Sequence, residues 1–562
     1  GGGKYEHWEP VGDDEYIAQQ VATTLTRLAT GDAPDEVIAA FLAARLVGIP
    51  KTGGTRVIGC GNAARRIVAR TLTLLFQSEV KEAVGVQQFG QQKDGAGRLH
   101  RLMSAQVGTG TKRVIGSVDV KDAFTKIRRD KVIEATEEHA PFWSPATELW
   151  LDRTTTHVVG TKTLEQSIGL DQGCPMSPGL YCFTVKNALA RTQQSMRQTD
   201  PESVVYAFID DTYLIGSPAA VSHGVIVFER ELALVGLSLN DAKTKFWAPN
   251  VTIEEMPTAM RPYRTANLKA VGALVPYANA ERALPETPLV ASGARSSQGV
   301  TPIRAGSGSS SGTTPIRAGS EETPIRDGLD DDDWRDTNID IEFECNTHEG
   351  FLTMQGQCLA RLETLMRKGL NETRATELAR TWSQGACTHI QRSLPMSKEW
   401  ASKVDAGIIQ FVSQRVQTTL ESHQQTLIFL KMADGGLGFG SAELRNESAW
   451  IGAWEGGLQA VAAETEIGSF AENCDKWPAW AKAVVVADNG VGRLQGKAVD
   501  PTRWTTAFHE AKPKQQGEHG KKVAITQAKT FRTKLGTVDL GRVEQQSGPG
   551  AGGYLIPGEG NP

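Results

Sequence analysis

The chain has 562 residues, of which 40% are hydrophobic and 22% charged, a composition typical of globular proteins with several domains and a large core. No stretch approaches 18 uninterrupted apolar residues, which argues against a membrane-spanning helix. The seven cysteines are odd in number and never form a CxxC pair, so we expect a reducing compartment, without a disulfide framework or a zinc site. The start lacks both an initiator Met and a charged-then-apolar leader, so we expect a fragment of an intracellular protein that is not secreted.

The net charge of −5 conceals a strong segregation of charge along the chain. The segment 45–134 contains 17 Lys and Arg against seven Asp and Glu, whereas 321–349 contains two against 12. A basic block of this size is typical of a surface that binds a polyanion such as nucleic acid. A merely solvated basic face is the alternative that the charge count leaves open.

The first candidate binding site along the chain lies in a glycine-containing turn. Residues 1–44 carry helical patterns, such as Tyr16–Thr30, but no recognisable site. The Lys-Thr-Gly-Gly-Thr-Arg run that follows predicts a hairpin with two cations near its tip, Lys51 and Arg56. Those cations could bind a chain of phosphates, although turn tips are often basic simply for solubility. An amphipathic, arginine-bearing helix is predicted from about Ala63.

Four further segments show strong local patterns. Residues 114–124 predict a buried strand that runs into a helix, with Asp119 at the strand's end, where an N-cap is the alternative role. Residues 168–183 place Gly, Pro and Ser in a tight loop before a long apolar helix, which indicates a rigid loop that approaches a ligand closely. A strand and a lysine-bearing turn are predicted at 236–247, and a further strand at 268–275.

The central segment is Tyr206–Gly216, YAFIDDTYLIG, in which Asp210 and Asp211 interrupt two apolar, β-branched runs. Such runs predict two strands joined by a tight hairpin turn that carries both carboxylates. Adjacent ionised carboxylates repel each other wherever apolar neighbours displace water. A divalent cation with oxygen ligands would neutralise them. A solvated Asp-Asp turn remains the alternative for this segment taken alone.

The second half of the chain opens with a break in the pattern. Residues 289–333 are rich in Gly, Ser and Ala and repeat TPIR three times, so we expect a disordered insert there. Helical periodicity returns afterwards. The predicted organisation is therefore an N-terminal extension (1–44), a first domain (45–288), a disordered, acidic linker (289–340), a helical region (341–460) and a C-terminal extension (461–562).

Six of these segments resemble a reverse transcriptase, most closely the enzymes of non-LTR retrotransposons. In order they are IPKTGGTRVIG, SVDVKDAF, GLDQGCPMSPGLYCF, YAFIDDTYLIG, GLSLNDAKTKFW and LKAVGALV. The resemblance implies an α+β right-hand polymerase fold, with fingers and an antiparallel palm sheet at 45–288 and a helical thumb after them. It also implies RNA-templated DNA synthesis from dNTPs on a DNA primer with an RNA template, in the nucleus or the cytoplasm.

The same resemblance assigns catalytic roles to four residues. Asp119 and Asp210 would ligate two Mg²⁺ ions, for which Mn²⁺ is an alternative, and Asp211 would be the supporting carboxylate. The two ions would activate the primer 3′-OH and stabilise the leaving pyrophosphate. Lys243 matches the lysine that donates a proton to pyrophosphate in the family.

The remaining implied roles concern the nucleotide. Lys51 and Arg56 would hold its triphosphate, and Gln172 and Gly173 would shape the floor under its sugar and the template base. Phe124 matches the aromatic residue that excludes a ribose 2′-hydroxyl and so selects deoxynucleotides.

The chain departs from the family at a few points, and two alternatives remain. Ile209 stands where the family commonly has Ala, Val, Leu or Met, and the insert replaces a short connection. We also expect no endonuclease domain upstream, no zinc knuckle and no ribonuclease H carboxylate set. An RNA-dependent RNA polymerase would typically have Asp at the position of Phe124 and Gly before the Asp pair. A decayed or domesticated copy that only binds nucleic acid would have no reason to keep its carboxylates together.

Overall fold

The protein is described by a computed structural model that covers residues 12–51, 54–107, 111–275, 348–393, 396–446, 448–450, 452–453, 515–535, 543 and 547. The disordered linker predicted at 289–340 lies outside these residues, as does most of the predicted C-terminal extension. Among the helices of the described part, none is both long and apolar enough to cross a membrane.

Helices and strands alternate irregularly along the described chain, which confirms the predicted α+β fold class. In chain order the helices α1 to α15 are Gly12–Ala29, Asp35–Leu42, Ala63–Leu75, Gln77–Ala83, Gly95–Gln106, Ala123–Lys126, Arg129–His139, Ser144–Leu151, Ser177–Thr199, Pro218–Leu234, His348–Arg367, Glu372–Ser393, Lys398–Val416, Ser422–Phe429 and Gln515–Arg532. The strands β1 to β11 are Ala44–Lys51, Gly54–Gly61, Val114–Val118, Thr155–Val159, Lys162–Gln166, Val204–Phe208, Asp211–Gly216, Lys245–Trp247, Arg264–Thr265, Lys269–Ala270 and Ala273–Leu274. Short 3₁₀ helices lie at Pro141–Trp143, Thr258–Tyr263 and Met432–Asp434.

The central sheet has five strands in the order β6-β7-β3-β8-β9, and every neighbouring pair is antiparallel except β8 and β9. Its side chains alternate between two hydrophobic clusters, as the period of a strand requires. On β7, Leu214 belongs to one cluster, whereas Tyr213 and Ile215 belong to the other. Both faces are therefore buried, which explains the continuous apolar runs on either side of the Asp pair.

Helices cover the larger cluster, with α9 and α10 packed against each other and against the central sheet. Helix α9 begins at Ser177, directly after the loop rich in Gly, Pro and Ser, and it is buried on all sides from Leu180 to Val185. On the opposite face, α5 and the β10–β11 hairpin close the smaller cluster around Tyr206 and Trp247. The central sheet is thus held rigidly from both sides.

A second sheet, the outer sheet, has the order β2-β1-β4-β5 and contains the predicted glycine hairpin. Strands β1 and β2 pair over their whole length, from Ala44 opposite Gly61 to Lys51 opposite Gly54. Helix α3 follows directly and begins at Ala63, where the side chain of Asn62 caps it by accepting a hydrogen bond from the Arg65 amide. The hairpin and the helix predicted there are both confirmed.

The strand predicted at 268–275 is wrong, because the segment forms the small β10–β11 hairpin. Its two turn residues, Val271 and Gly272, have φ values of +43° and +87°, and positive φ at both central residues is the mark of a type I′ turn. Polar side chains hold Val271: its amide donates to the Tyr213 hydroxyl at 3.3 Å, and its carbonyl oxygen lies 2.9 Å from His389 Nε2.

Helices α11 to α14 bear out the helical periodicity expected after residue 340. Val404, Ile408 and Phe411 of α13 are buried and lie four and three positions apart, the spacing of the apolar face of an amphipathic helix. Helix α12 also contacts the first domain, where Arg392 makes an ion pair with Asp94 at 2.8 Å.

Candidate active site

The turn between β6 and β7 carries the Asp pair, as the sequence predicts. Phe208 pairs with Asp211, which leaves Ile209 and Asp210 as the two loop residues. Ile209 has φ of +59°, whereas Asp210 is not among the residues of positive φ. Type II′ turns ordinarily place glycine at this first loop position. A β-branched residue there stores strain on the order of 1–3 kcal/mol, and such strain is concentrated at functional sites.

Asp119 follows the last residue of β3, on the strand next to β7. Val118 pairs with Thr212, so the antiparallel register brings Asp119 beside Asp211. The alternative N-cap role is not realised, because α6 begins only at Ala123. The Asp119 carboxylate instead accepts a hydrogen bond of 3.0 Å from Asn240 Nδ2. Asp119 and Asp211, which are 92 positions apart in sequence, thus meet at the same end of two neighbouring strands of the central sheet.

Burial and neighbouring negative charge make Asp210 and Asp211 costly to ionise. Burial raises the pKa of Asp210, and the negative charge of Asp119 raises it further. Asp211 is exposed by surface area, yet neighbouring protein displaces water from its carboxylate. That desolvation, followed by the charges of Asp210 and Asp119, raises its pKa to about 6. The site therefore concentrates negative charge that the fold alone only partly neutralises.

Two of the predicted cations face this charge. Lys243 Nζ lies 3.7 Å from Asp119 Oδ2, and its charge lowers the pKa of Asp210 and Asp211. Arg56 lies on the exposed part of β2, and its charge also lowers the pKa of Asp210. The structure therefore places Lys243 next to Asp119, and Arg56 close enough for its charge to act on Asp210. The side chain of Lys51 lies outside the described part of the chain.

Phe124 lies half-buried on α6, where its ring stacks on that of Tyr181. The ring centroids are 5.2 Å apart and the ring planes differ by 26°. Tyr181 is fully buried, and desolvation followed by the charges of Asp210, Cys182, Asp211 and Asp119 raises the pKa of its hydroxyl. Phe124 is thus supported by a residue that lies beside the carboxylates.

Gly173 shows why its loop needs glycine. A Cβ there would lie 2.3 Å from the carbonyl oxygen of Gly59, so the loop backbone packs directly on β2. Gln172, next to it, is exposed. Among the described residues, the loop thus makes its close contact with the β1–β2 hairpin, whereas its sequence predicts a close approach to a ligand.

A buried ion network anchors the same loop. The Asp171 carboxylate lies 2.7 Å from His157 Nε2 and 3.0 Å from the Arg65 guanidinium. Arg65 is also within cation–π range of Trp150, at 5.5 Å from the ring centroid. Arg65 therefore stabilises the outer sheet and is not available to a phosphate chain.

The donor set at the sheet edge fits a hard divalent cation. Its donors are carboxylate oxygens, which such cations prefer, and a bound cation would relieve the repulsion that raises the pKa of Asp210 and Asp211. Within the described ranges, however, no group of three or more His, Cys, Asp or Glu side chains has the geometry of a preassembled metal centre.

Sequence reasoning missed three residues of this site. Asn240 bonds Asp119, Tyr181 supports Phe124, and Gln88 hydrogen-bonds the backbone of Ile209. Asn240 and Tyr181 lie inside segments that the resemblance quotes, so their positions carried a signal. Gln88 lies outside those six segments, and no local pattern marks it.

Comparisons with known proteins bear on the same region. Residues 49–270 match the family model of reverse transcriptase (RNA-dependent DNA polymerase). Among solved structures, a similar chain is apo telomerase from Candida tropicalis truncated from its C-terminal domain; it is 13% identical with a TM-score of 0.32, and the likeness covers 41% of this chain and 53% of that one. No curated protein matches the chain. All nine predicted site residues, listed here in order, fall in the family match: Lys51, Arg56, Asp119, Phe124, Gln172, Gly173, Asp210, Asp211 and Lys243.

Proposed function

Residues 49–270 form a domain of the reverse transcriptase family, and on this premise we propose that the chain catalyses RNA-templated DNA synthesis. The reaction is the attack of a primer 3′-OH on the α-phosphate of a dNTP, which forms a phosphodiester and releases pyrophosphate. The observation that carries the proposal is the meeting of Asp119, Asp210 and Asp211 at the same end of neighbouring strands, where burial and the charges of neighbouring carboxylates raise the pKa of Asp210 and Asp211. A decayed copy that only binds nucleic acid would have no need to keep that costly arrangement.

The reverse transcriptase family generally uses divalent metal ions, Mg²⁺ above all. In this chain Asp119 and Asp210 would hold two Mg²⁺ ions, with Mn²⁺ as an alternative, and Asp211 would support them. When bound, the ions lower the pKa of the attacking hydroxyl and neutralise charge on the leaving group. Asn240 keeps Asp119 in place through its hydrogen bond.

The cations of the site act on the nucleotide's phosphates. Lys243, whose ammonium lies next to Asp119, is suited to donate a proton to the leaving pyrophosphate. Arg56 lies on β2, where its charge lowers the pKa of Asp210, and would bind the triphosphate together with Lys51. These charges offset the negative charge that the substrate brings.

Phe124 would select the sugar. Its ring is held by Tyr181 and offers a ribose 2′-hydroxyl both a steric clash and no hydrogen-bond partner. An RNA polymerase of similar chemistry would favour a carboxylate at this position. The apolar ring therefore supports DNA synthesis over RNA synthesis.

The template and primer are the remaining partners. Gln172 is exposed and Gly173 packs on the outer-sheet hairpin, and we assign both residues to the floor under the sugar and the template base. The order of the six segments that resemble a reverse transcriptase supports an origin in a non-LTR retrotransposon. Such an origin implies that the protein acts in the nucleus or the cytoplasm. Both assignments extend the family membership of residues 49–270.

Primer extension tests the proposal. A DNA primer annealed to an RNA template is incubated with purified protein, dNTPs and Mg²⁺, and wild type is expected to extend it. Asp210→Asn should lower the rate at least about a hundredfold, since losing even an outer-shell partner of a metal ligand costs about 10–100-fold. Asp32→Asn, which alters an exposed carboxylate paired with Arg27, is the matched control and should keep the rate.

Three outcomes would contradict the proposal. Wild type that extends nothing with either dNTPs or NTPs would indicate a binding protein. Extension with NTPs in preference to dNTPs would indicate an RNA polymerase. Equal rates in wild type and Asp210→Asn would show that the chemistry lies elsewhere.

A further inference from the structure

Gln88 is a fully buried amide that lies against the turn of the Asp pair. Its Oε1 accepts hydrogen bonds from the Ile209 amide at 2.6 Å and from the Gly90 amide at 3.1 Å. Its Nε2 donates to the Ile209 carbonyl oxygen at 3.2 Å. One side chain thus satisfies both backbone polar groups of the residue directly before Asp210.

Main-chain bonds place Gln88 at this point. The Phe89 amide donates to the Ala207 carbonyl at 2.7 Å, and the Ala207 amide donates to the Gln87 carbonyl at 2.8 Å. Residues 87–89 therefore run alongside the end of β6 as a short parallel bridge. The bridge places the Gln88 side chain beside Ile209, which is 121 residues away in sequence.

The surroundings of Ile209 are shaped for its unusual backbone. With φ of +59°, a β-branched residue does not hold this turn conformation by its own preference. Strained conformations persist only where neighbouring groups over-determine them. Gly90 leaves the necessary room, since a Cβ there would lie 2.5 Å from Ile209 Cγ1.

We propose that Gln88 is a positioning residue for catalysis: its amide locks the Ile209 backbone and thereby sets the direction of the Asp210 carboxylate toward the divalent cation. The inference rests on the proposed function, because it assigns Gln88 a task at that same site. Gln88 itself does not touch the nucleotide. Without its amide, Ile209 relaxes toward negative φ and the Asp210 carboxylate spreads over several orientations.

The alternative is that Gln88 only stabilises the fold, and Gln193 provides a matched control for that role. Gln193 Oε1 accepts from the Val205 amide at 2.9 Å, so it bonds the same strand at the end away from the turn. Removing either glutamine side chain leaves one backbone amide at an end of β6 without its acceptor, that of Val205 or that of Ile209. Only Gln88, however, contacts the turn that carries Asp210. Gln88→Ala and Gln193→Ala are therefore compared directly.

The first measurement is the Mg²⁺ concentration that gives half-maximal primer extension. Gln88→Ala is expected to raise it about 10–100-fold, the range found when the outer-shell partner of a metal ligand is lost, and to lower kcat. Gln193→Ala should leave it unchanged even where Tm falls equally. An unchanged Mg²⁺ requirement in Gln88→Ala would overturn the proposal, and Gln88→Asn, which retracts the amide by one methylene, gives the same test if the alanine variant does not fold.

The second measurement is rescue. Glycine adopts positive φ without strain, so Ile209→Gly should make the turn independent of Gln88. In the Ile209→Gly background, Gln88→Ala is expected to cost less than threefold in kcat and in Mg²⁺ requirement. A full loss in the double variant would contradict a role through the Ile209 backbone.

The third measurement does not depend on activity, namely the rise of Tm that Mg²⁺ causes. At a fixed Mg²⁺ concentration this rise should be smaller in Gln88→Ala than in Gln193→Ala. Equal rises would overturn the inference even if no primer is ever extended. Conversely, wild type that binds Mg²⁺ but extends no primer refutes the proposed function while leaving the role of Gln88 testable.

Discussion

Two hairpins of this protein have the same topology but are embedded very differently. In the β6–β7 hairpin, Tyr213, Leu214 and Ile215 are at most 2% exposed, and a buried amide holds the turn. In the β1–β2 hairpin, the first four residues of β2 are exposed, and only its inner half packs on the Gly173 loop. The first hairpin carries the carboxylates, and the second carries the cations expected to meet the nucleotide.

The difference follows from what each set of groups must do. Carboxylates that repel one another stay together only where the backbone that carries them is rigid. The central sheet provides that rigidity because both of its faces are packed against other elements. Cations that bind a mobile substrate need access, which an exposed strand provides. Changes in the buried hairpin should therefore affect the rate and the metal requirement, whereas changes in the exposed hairpin should affect nucleotide binding.

Arg56→Ala should give the largest effect on nucleotide binding. A hydrogen bond between a guanidinium and a phosphate contributes about 1.5–3 kcal/mol, which corresponds to a rise in KM for dNTP of roughly 10–100-fold. Steady-state extension at varied dNTP checks this. Arg45→Ala, which removes an exposed arginine from the base of the same hairpin, is the control and should leave KM unchanged.

A large fall of kcat without a change of KM in Arg56→Ala would contradict the division between the two hairpins. It would show that the exposed strand takes part in the chemistry itself. Equal effects of Arg45→Ala and Arg56→Ala would indicate only a general loss of positive charge.

Phe124→Ala should give a smaller effect, on the choice of sugar. Leaving a hydroxyl desolvated and unpaired costs about 1–3 kcal/mol, to which the steric clash with the ring adds, so removing the ring should admit ribonucleotides at least tenfold more readily. Single-nucleotide incorporation with dGTP and GTP measures the ratio. Phe142→Ala is a close control, because Phe142 is also half-buried, belongs to the same cluster and stacks on another ring, that of Phe76.

Phe142→Ala should lower the stability without changing the dGTP to GTP ratio. If both variants leave that ratio unchanged, Phe124 is a packing residue, and the choice between DNA and RNA synthesis must depend on other groups.

The comparison also explains what could be predicted from the sequence. The strands around Asp210 and the hairpin near Lys51 follow from local periodicity and turn residues, and the family match supports the right-hand α+β class inferred from their order. The type I′ turn at Val271 was missed, because valine at positive φ contradicts its intrinsic preference and is held by Tyr213 and His389.

Long-range contacts account for the other omissions. Arg65 looks like a surface cation in its helix, and only folding reveals that Asp171 buries it. Gln88 acts on a residue 121 positions away, so no local pattern could have assigned its role. The sequence thus predicts which residues carry charge, but contacts in the fold decide which of them are free to meet a substrate.

The central claim is that three carboxylates of the central sheet, those of Asp119, Asp210 and Asp211, are held together to bind divalent cations. Because the pKa of Asp211 is raised from 3.8 to about 6, the folded protein binds more protons than the unfolded chain between these values. Stability of the metal-free protein should therefore fall as pH rises through that window. Binding of Mg²⁺ to the folded state at higher pH should offset the fall.

Thermal unfolding with EDTA or Mg²⁺, at pH 5 and pH 7.5, tests this claim most directly. In EDTA, Tm should fall from pH 5 to pH 7.5 by more in wild type than in Asp211→Asn, and Mg²⁺ at pH 7.5 should raise Tm in wild type but hardly in Asp210→Asn. Asp32→Asn should behave as wild type. If Mg²⁺ raises Tm equally in wild type and Asp210→Asn, or in neither, the carboxylates do not form the cation site.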